Sequence, residues 1–202
     1  MQDIVINKFI QRLNLPKNFT FITKNFFENK NEQLYNKYSN NMRGNKTLEL
    51  YHTVRAGFDE DEDVNKIYNN IIDNGFFINY SNFNNKEMGI YMANHGRYSW
   101  LWGSCSKNRR VIICHVAADS DLVQRYKSEI YSEVHDSEYV IKDPKIVYPK
   151  YILEYEIISH NKNSLNIQAF VKHGNFNCQK CDKKVKRCDC LQYPIFDEKD
   201  FI

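Results

Sequence analysis

The chain has 202 residues, 42% of them hydrophobic, which suits one domain of ordinary size with a real core and no need of covalent staples. Its net charge of +3 is too small to imply an obligate nucleic-acid partner, and no apolar run approaches the length that crosses a bilayer. The opening MQDIVINKFIQRL lacks the long apolar centre and small-residue cleavage site of a secretory signal, so the expected location is intracellular, in cytoplasm or nucleus, with no membrane partner.

Along the chain, helical and extended patterns alternate. Ile6, Phe9, Ile10 and Leu13 recur at helical spacing after Asp3, and Pro16 closes the segment. Phe19, Phe21 and Thr23 alternate as a strand does. Leu34, Tyr35, Tyr38 and Met42 return to helical spacing, and Leu48, Leu50 and His52 alternate again, so His52 ends a strand and faces the same way as two leucines. The acidic run DEDED at 59–63 leads into Val64, Ile67, Tyr68 and Ile71, a helix stopped by Gly75. Carboxylates at a helix start complement the macrodipole, so this run reads as a solvated helix entrance rather than a metal site.

From Ile90 onward the β-branched and aromatic stretches GIYMA, RRVIICHVAA, EYVIK and KIVYPKYILEYEII predict strands, with Pro144 and Pro149 at an edge or bend. The sum is an α+β domain whose second half is mostly sheet. After Ser159 the hydrophobic periodicity fades, which places a boundary between a domain over 1–158 and an extension over 159–202.

That extension holds four of the six cysteines. His173, Cys178, Cys181, Cys188 and Cys190 spell H-x4-C-x2-C-x6-C-x-C, enough ligands for one tetrahedral zinc. The four cysteines are the expected set, with His173 in reserve, and a structural Zn2+ is the expected occupant. Lys183, Lys184, Lys186 and Arg187 lie beside them; nucleic acid is one partner such a run suits, and a solvated surface is the favoured reading. Cys105 and Cys114 read as structural.

Three blocks carry a resemblance. LYHTV (50–54), GIYMA (89–93) and SEYVIKDPKIVYPKYIL (137–153) resemble, in order and spacing, the catalytic blocks of the poly(ADP-ribose) polymerase family, and Phe21 to Met42 is similar to the strand and helix that lead into that domain. The resemblance spans about residues 15 to 158. It implies an ADP-ribosyltransferase fold, a mostly antiparallel two-sheet core with flanking helices. It also implies transfer of ADP-ribose from NAD+ to protein acceptors, including the chain itself, with release of nicotinamide.

Breaking the bond between nicotinamide and ribose builds positive charge on the sugar, so the site must clamp a flat leaving group, fix the ribose and offer negative charge. The resemblance assigns catalysis to His52, Tyr91 and Glu138. His52 contacts the adenosine-side ribose; Tyr91 and Trp102 sandwich the nicotinamide; Ser99 and the backbone of Thr53 hold its carboxamide; Gly89 opens the second block; Glu138 meets the developing cation. Ser99 and Trp102 would share a face if NHGRYSWLW is helical. Tyr98 and Trp100 read as packing residues.

Two positions depart from the family pattern. Thr53 stands where glycine is usual, and Val54 replaces a usual hydroxyl residue; both bear on NAD binding. They support the alternative of a binding module without turnover, while the basic cysteine-rich tail is the hint for a transferase acting on nucleic acid. The short segment over 118–136, where the family varies its acceptor loop, favours single units or short chains over long polymer. The segment before the blocks is too short for the family's autoinhibitory helical domain, so no dependence on DNA breaks is expected.

Overall fold

The computed structural model describes residues 1–13, 15, 19–54, 61–78, 88–96, 109–119, 121–127 and 137–159, with backbone alone at 61–64, 127, 137 and 159. The elements run α1 (Gln2–Leu13), β1 (Phe19–Glu28), α2 (Glu32–Asn41), β2 (Thr47–His52), α3 (Asp61–Asn74), β3 (Ile90–Ala93), β4 (Arg109–Ala117), β5 (Val123–Lys127), β6 (Ser137–Ile141) and β7 (Val147–Ser159). The fold is α+β, as the alternating patterns predict. The strands form one seven-stranded sheet in the order β1-β7-β4-β2-β3-β6-β5, and its described pairings are antiparallel.

The expected division into two sheets is replaced, among the described residues, by one continuous sheet with a narrow seam. Strand β2 pairs with β4 along its whole length, from Thr47↔Ala117 to His52↔Ile112, but meets β3 only at Tyr51↔Ala93. That single pair joins the β1-β7-β4-β2 half to the β3-β6-β5 half of the sheet.

Strand alternation sends the two faces of the sheet to different helices. On one face α1 places Ile6, Phe9 and Leu13 against Val111, Ile113, Leu153 and Tyr155. Phe9 has no solvent exposure and meets the rings of Tyr51 and Tyr155 at centroid distances of 5.2 and 5.4 Å. On the other face α2 and α3 bury Tyr38, Tyr68 and Ile71 against Leu50, Ile112, Cys114, Met92 and Ile141. Cys114 behaves as the small hydrophobe expected of it, with its thiol pKa pushed well up by burial.

The end of α3 is tied down by polar groups. Gly75 takes φ +83°, the left-handed conformation that ends a helix without strain for glycine. The buried Asn29 amide donates to Ile72 O and Pro149 O at 3.2 and 3.0 Å, and Asn31 Nδ2 donates to Asp73 O at 2.9 Å. Two side chains thus occupy carbonyls that the last helical turn leaves open.

Three details differ from the sequence reading. Strand β7 is interior rather than an edge, and Pro149 sits in it at a register shift opposite Ile113/Cys114, where the ladder is already interrupted. Strand β1 continues to Glu28, past the alternating Phe19–Thr23, because β7 pairs with it along that length across a bulge at Thr23/Asn25. The segment over 118–136, read only as a loop between strands, contains β5, which pairs with β6 from Val123↔Ile141 to Lys127↔Ser137.

Candidate functional site

The three residues that the sequence blocks single out lie on neighbouring strands beside the seam between β2 and β3. His52 is the last residue of β2, Tyr91 lies in β3 and Glu138 in β6, and these strands are consecutive in the sheet. The register aligns Tyr51, Ala93 and Glu138 in one row across them, with Tyr126 of β5 opposite Glu138. Tyr91 faces Val140 across the β3–β6 ladder, which makes Tyr91 and Glu138 diagonal neighbours on one face, a relation that separates Cα atoms by about 7–8 Å.

His52 spans the seam. Its Nδ1 lies 2.9 Å from the carbonyl oxygen of Tyr91. A carbonyl only accepts, so Nδ1 carries the proton and Nε2 keeps its lone pair. Burial lowers the His52 pKa, and the bond to Tyr91 O opposes that shift only in part. The ring is therefore neutral at pH 7 and offers one acceptor, suited to a ligand hydroxyl rather than to a phosphate. Phe76, just past Gly75, meets it edge to face at 5.0 Å, so the tied-down end of α3 fixes the imidazole plane.

The residues after His52 are held from the other side. Tyr68 of α3 accepts a hydrogen bond from the Val54 N–H at 3.3 Å and donates to Arg110 O at 2.9 Å. Its hydroxyl is protonated across the physiological range, since burial raises its pKa far above the ordinary tyrosine value. Arg110 completes the cluster with Glu154 and Asn65. The Val54 side chain packs into the core with Leu50 and Ile71, so the missing hydroxyl at this position is replaced by apolar burial. Thr53, between these anchors, has a buried Oγ1 with no hydrogen-bond partner among the described residues.

Gly89 is required by packing. A Cβ there would lie 2.5 Å from Val140 Cγ1 and 2.9 Å from Ile141 O, so β3 can approach β6 only with glycine at this place. On the α1 side, Arg12 Nη1 donates to Asn94 O at 3.0 Å, and its guanidinium lies 5.8 Å from the centre of the Tyr51 ring. A Cβ on Gly96 would touch Phe9 and Leu13, so the turn after β3 rests directly on α1.

The sequence reading assigned no role at this site to Tyr68, Phe76 or Arg12. Their signal was weak because Tyr68 and Arg12 fit helix patterns as core and surface residues and Phe76 follows the helix-ending Gly75, and only the folded chain aims Tyr68 Oη at the Val54 amide. Ser99, Trp102, Tyr98 and Trp100, and the candidate metal ligands His173, Cys178, Cys181, Cys188 and Cys190, lie outside the described residues. Among the described residues there is no group of three His, Cys, Asp or Glu placed to hold a metal, and no helix is long and apolar enough to cross a membrane.

No protein-family model matches the chain, and no curated protein matches it.

Proposed function

We propose that the chain is an NAD-dependent ADP-ribosyltransferase with the ADP-ribosyltransferase fold, carrying single ADP-ribose units or short chains to protein side chains, its own included. The observation that carries this reading is the seam itself. Residues 52, 91 and 138 come from well-separated parts of the chain onto three consecutive strands. An imidazole, a tyrosine ring and a carboxylate are thereby brought from distant parts of the chain to neighbouring strands where the sheet is least paired, with Tyr91 and Glu138 on the face of Tyr51 and His52 on the face of Leu50.

In this reading Tyr91 stacks on the nicotinamide ring, and His52 Nε2 accepts a hydrogen bond from a ribose hydroxyl. As the bond from C1′ to the nicotinamide nitrogen breaks, the electron pair leaves with nicotinamide and positive charge grows on the ribose. The Glu138 carboxylate faces that charge, and an acceptor side chain attacks C1′ and gives up its proton. The site residues fit a flat, hydroxyl-rich dinucleotide. The spacing of Cys178, Cys181, Cys188 and Cys190 supports a separate structural zinc, which takes no part in the transfer.

Labelled NAD incubated with purified protein, wild type beside Glu138→Ala, tests the reading. Label on the wild type with release of nicotinamide, and neither on the variant, is expected. A folded wild type that binds NAD without releasing nicotinamide would move the conclusion to a binding module.

A further inference from the structure

Among the described residues one pair, Tyr51↔Ala93, joins β2 to β3, whereas β2 pairs with β4 along its whole length. A single pair leaves much of the relative placement of two strands to side chains. Because the strands are antiparallel, Glu49 and Asn94 lie on one side of that pair, and His52 and Tyr91 lie on the other. Arg12 Nη1 bridges the first side, donating to Asn94 O at 3.0 Å and to Glu49 O at 3.5 Å. His52 Nδ1 bridges the second, 2.9 Å from Tyr91 O. The pair is thus bracketed by two side-chain bridges, one from α1 and one from the candidate site itself.

The Arg12 bridge is held in place. Its guanidinium lies 5.8 Å from the centre of the Tyr51 ring, and Tyr51 Oη donates to Glu49 Oε1 at 3.2 Å. Lys8 Nζ lies 3.0 Å from the same oxygen. Lys8 and Arg12 are four residues apart, so they share a helix face, but they differ in reach. Among the described residues Lys8 binds β2 alone, while Arg12 binds the strand β2 and the residue that follows β3. A guanidinium suits that task, since it stays charged and each terminal nitrogen carries two N–H donors. We infer that Arg12 is a positioning residue of the candidate site: it sets the placement of β3 against β2, and through it the bond between His52 Nδ1 and Tyr91 O that presents His52 Nε2 to a ligand. The tie to His52 stands on the geometry alone, and the tie to NAD rests on the transferase reading.

The test compares Arg12→Met with Lys8→Met. Each keeps an apolar stem and removes one cation from the same face of α1, and a role confined to docking α1 would make the two behave alike. The ring nitrogen and proton resonances of His52 are read by NMR without ligand, and NAD dissociation constants are read by calorimetry. Wild type and Lys8→Met should show one tautomer, with the proton on Nδ1. Arg12→Met should show both tautomers, with the Nδ1 proton exchanging about fivefold faster and NAD bound about fivefold more weakly, the worth of about one hydrogen bond. An unchanged His52 signal in folded Arg12→Met, or the same change in Lys8→Met, overturns the inference and leaves the transferase reading intact. An altered His52 signal with unchanged NAD affinity overturns the tie to ligand binding. A folded wild type that does not bind NAD overturns the transferase reading, while the His52 resonances still decide the role of Arg12. Should Arg12→Met not fold, Arg12→Lys, whose shorter side chain cannot span both carbonyls in the same way, is read by the same criteria.

Discussion

Replacing Tyr68 by phenylalanine removes one oxygen and keeps the ring. That oxygen joins α3 to two strands, accepting from Val54 N–H at 3.3 Å and donating to Arg110 O at 2.9 Å. Tyr68 is 2% exposed, so water cannot replace it without opening the core. Apolar burial is unchanged, and the cost lies in two main-chain groups left unpaired, each worth about 1–3 kcal/mol when fully buried. The 3.3 Å bond is long and contributes less, and local relaxation recovers part of the rest. A net loss of about 2 kcal/mol is expected, which for a chain of this size lowers the melting temperature by roughly 4–8 °C. Urea unfolding should show a lower midpoint with an unchanged slope, the mark of lost stability rather than an altered denatured state. Amide exchange at Val54 should accelerate more than at the core strand β4, since the clamp acts locally. A loss below about 0.5 kcal/mol, the range of inert surface substitutions, would refute the idea that Tyr68 holds the segment after His52.

Gly89→Ala should destabilise by about 1–3 kcal/mol, because the added methyl meets backbone as well as the Val140 side chain; an unchanged urea midpoint would show that β3 and β6 can separate freely. Burial lowers the pKa of both His52 and His115, opposed by Tyr91 O in the first and Glu49 in the second, with Lys150 and Lys8 also lowering the second. The unfolded chain then binds more protons below the ordinary value of 6.5, so stability is complete above that pH and is lost as pH falls toward the depressed values. The slope is at most about 1.4 kcal/mol per pH unit for each group, and a urea midpoint that does not fall between about pH 7.5 and about pH 5.5 would contradict it. Protein purified without chelator should carry about one zinc per chain, lost on combining Cys178→Ser with Cys181→Ser; metal analysis near zero in folded wild type would remove the zinc expectation.

Much of the fold is written in local pattern. The period of Ile6, Phe9 and Leu13 marks α1 and its buried face, and those residues are the ones that α1 buries. The alternation of Leu48, Leu50 and His52 places His52 at the end of β2, where it is found. Gly75 ends α3 for the reason a helix-terminal glycine usually does. Strand β5 escaped notice because VQRYK is short, polar and at the sheet's edge among the described strands, so half-burial left no clear alternation. Pro149 was misleading for a different reason. Proline argues against an interior strand unless the ladder is interrupted, and here β7 carries an extra residue, Lys150, between the partners of Ile113 and Cys114, an irregularity that only the pairing with β4 reveals.

The candidate site divides in the same way. The resemblance of three short blocks singled out His52, Tyr91 and Glu138; residue type alone did not, because a histidine ending an apolar strand and a glutamate opening one are ordinary structural residues. Sequence also determined the α+β class, through periods that any local window reveals. Tertiary structure alone decided that the three residues lie on consecutive strands, that the Tyr91 carbonyl selects the His52 tautomer, and that Tyr68 clamps the backbone at Val54. Those facts depend on strand order and register, which arise from pairing between segments tens of residues apart. Local periodicity reports which side of an element is apolar and carries no information about which neighbour will cover it.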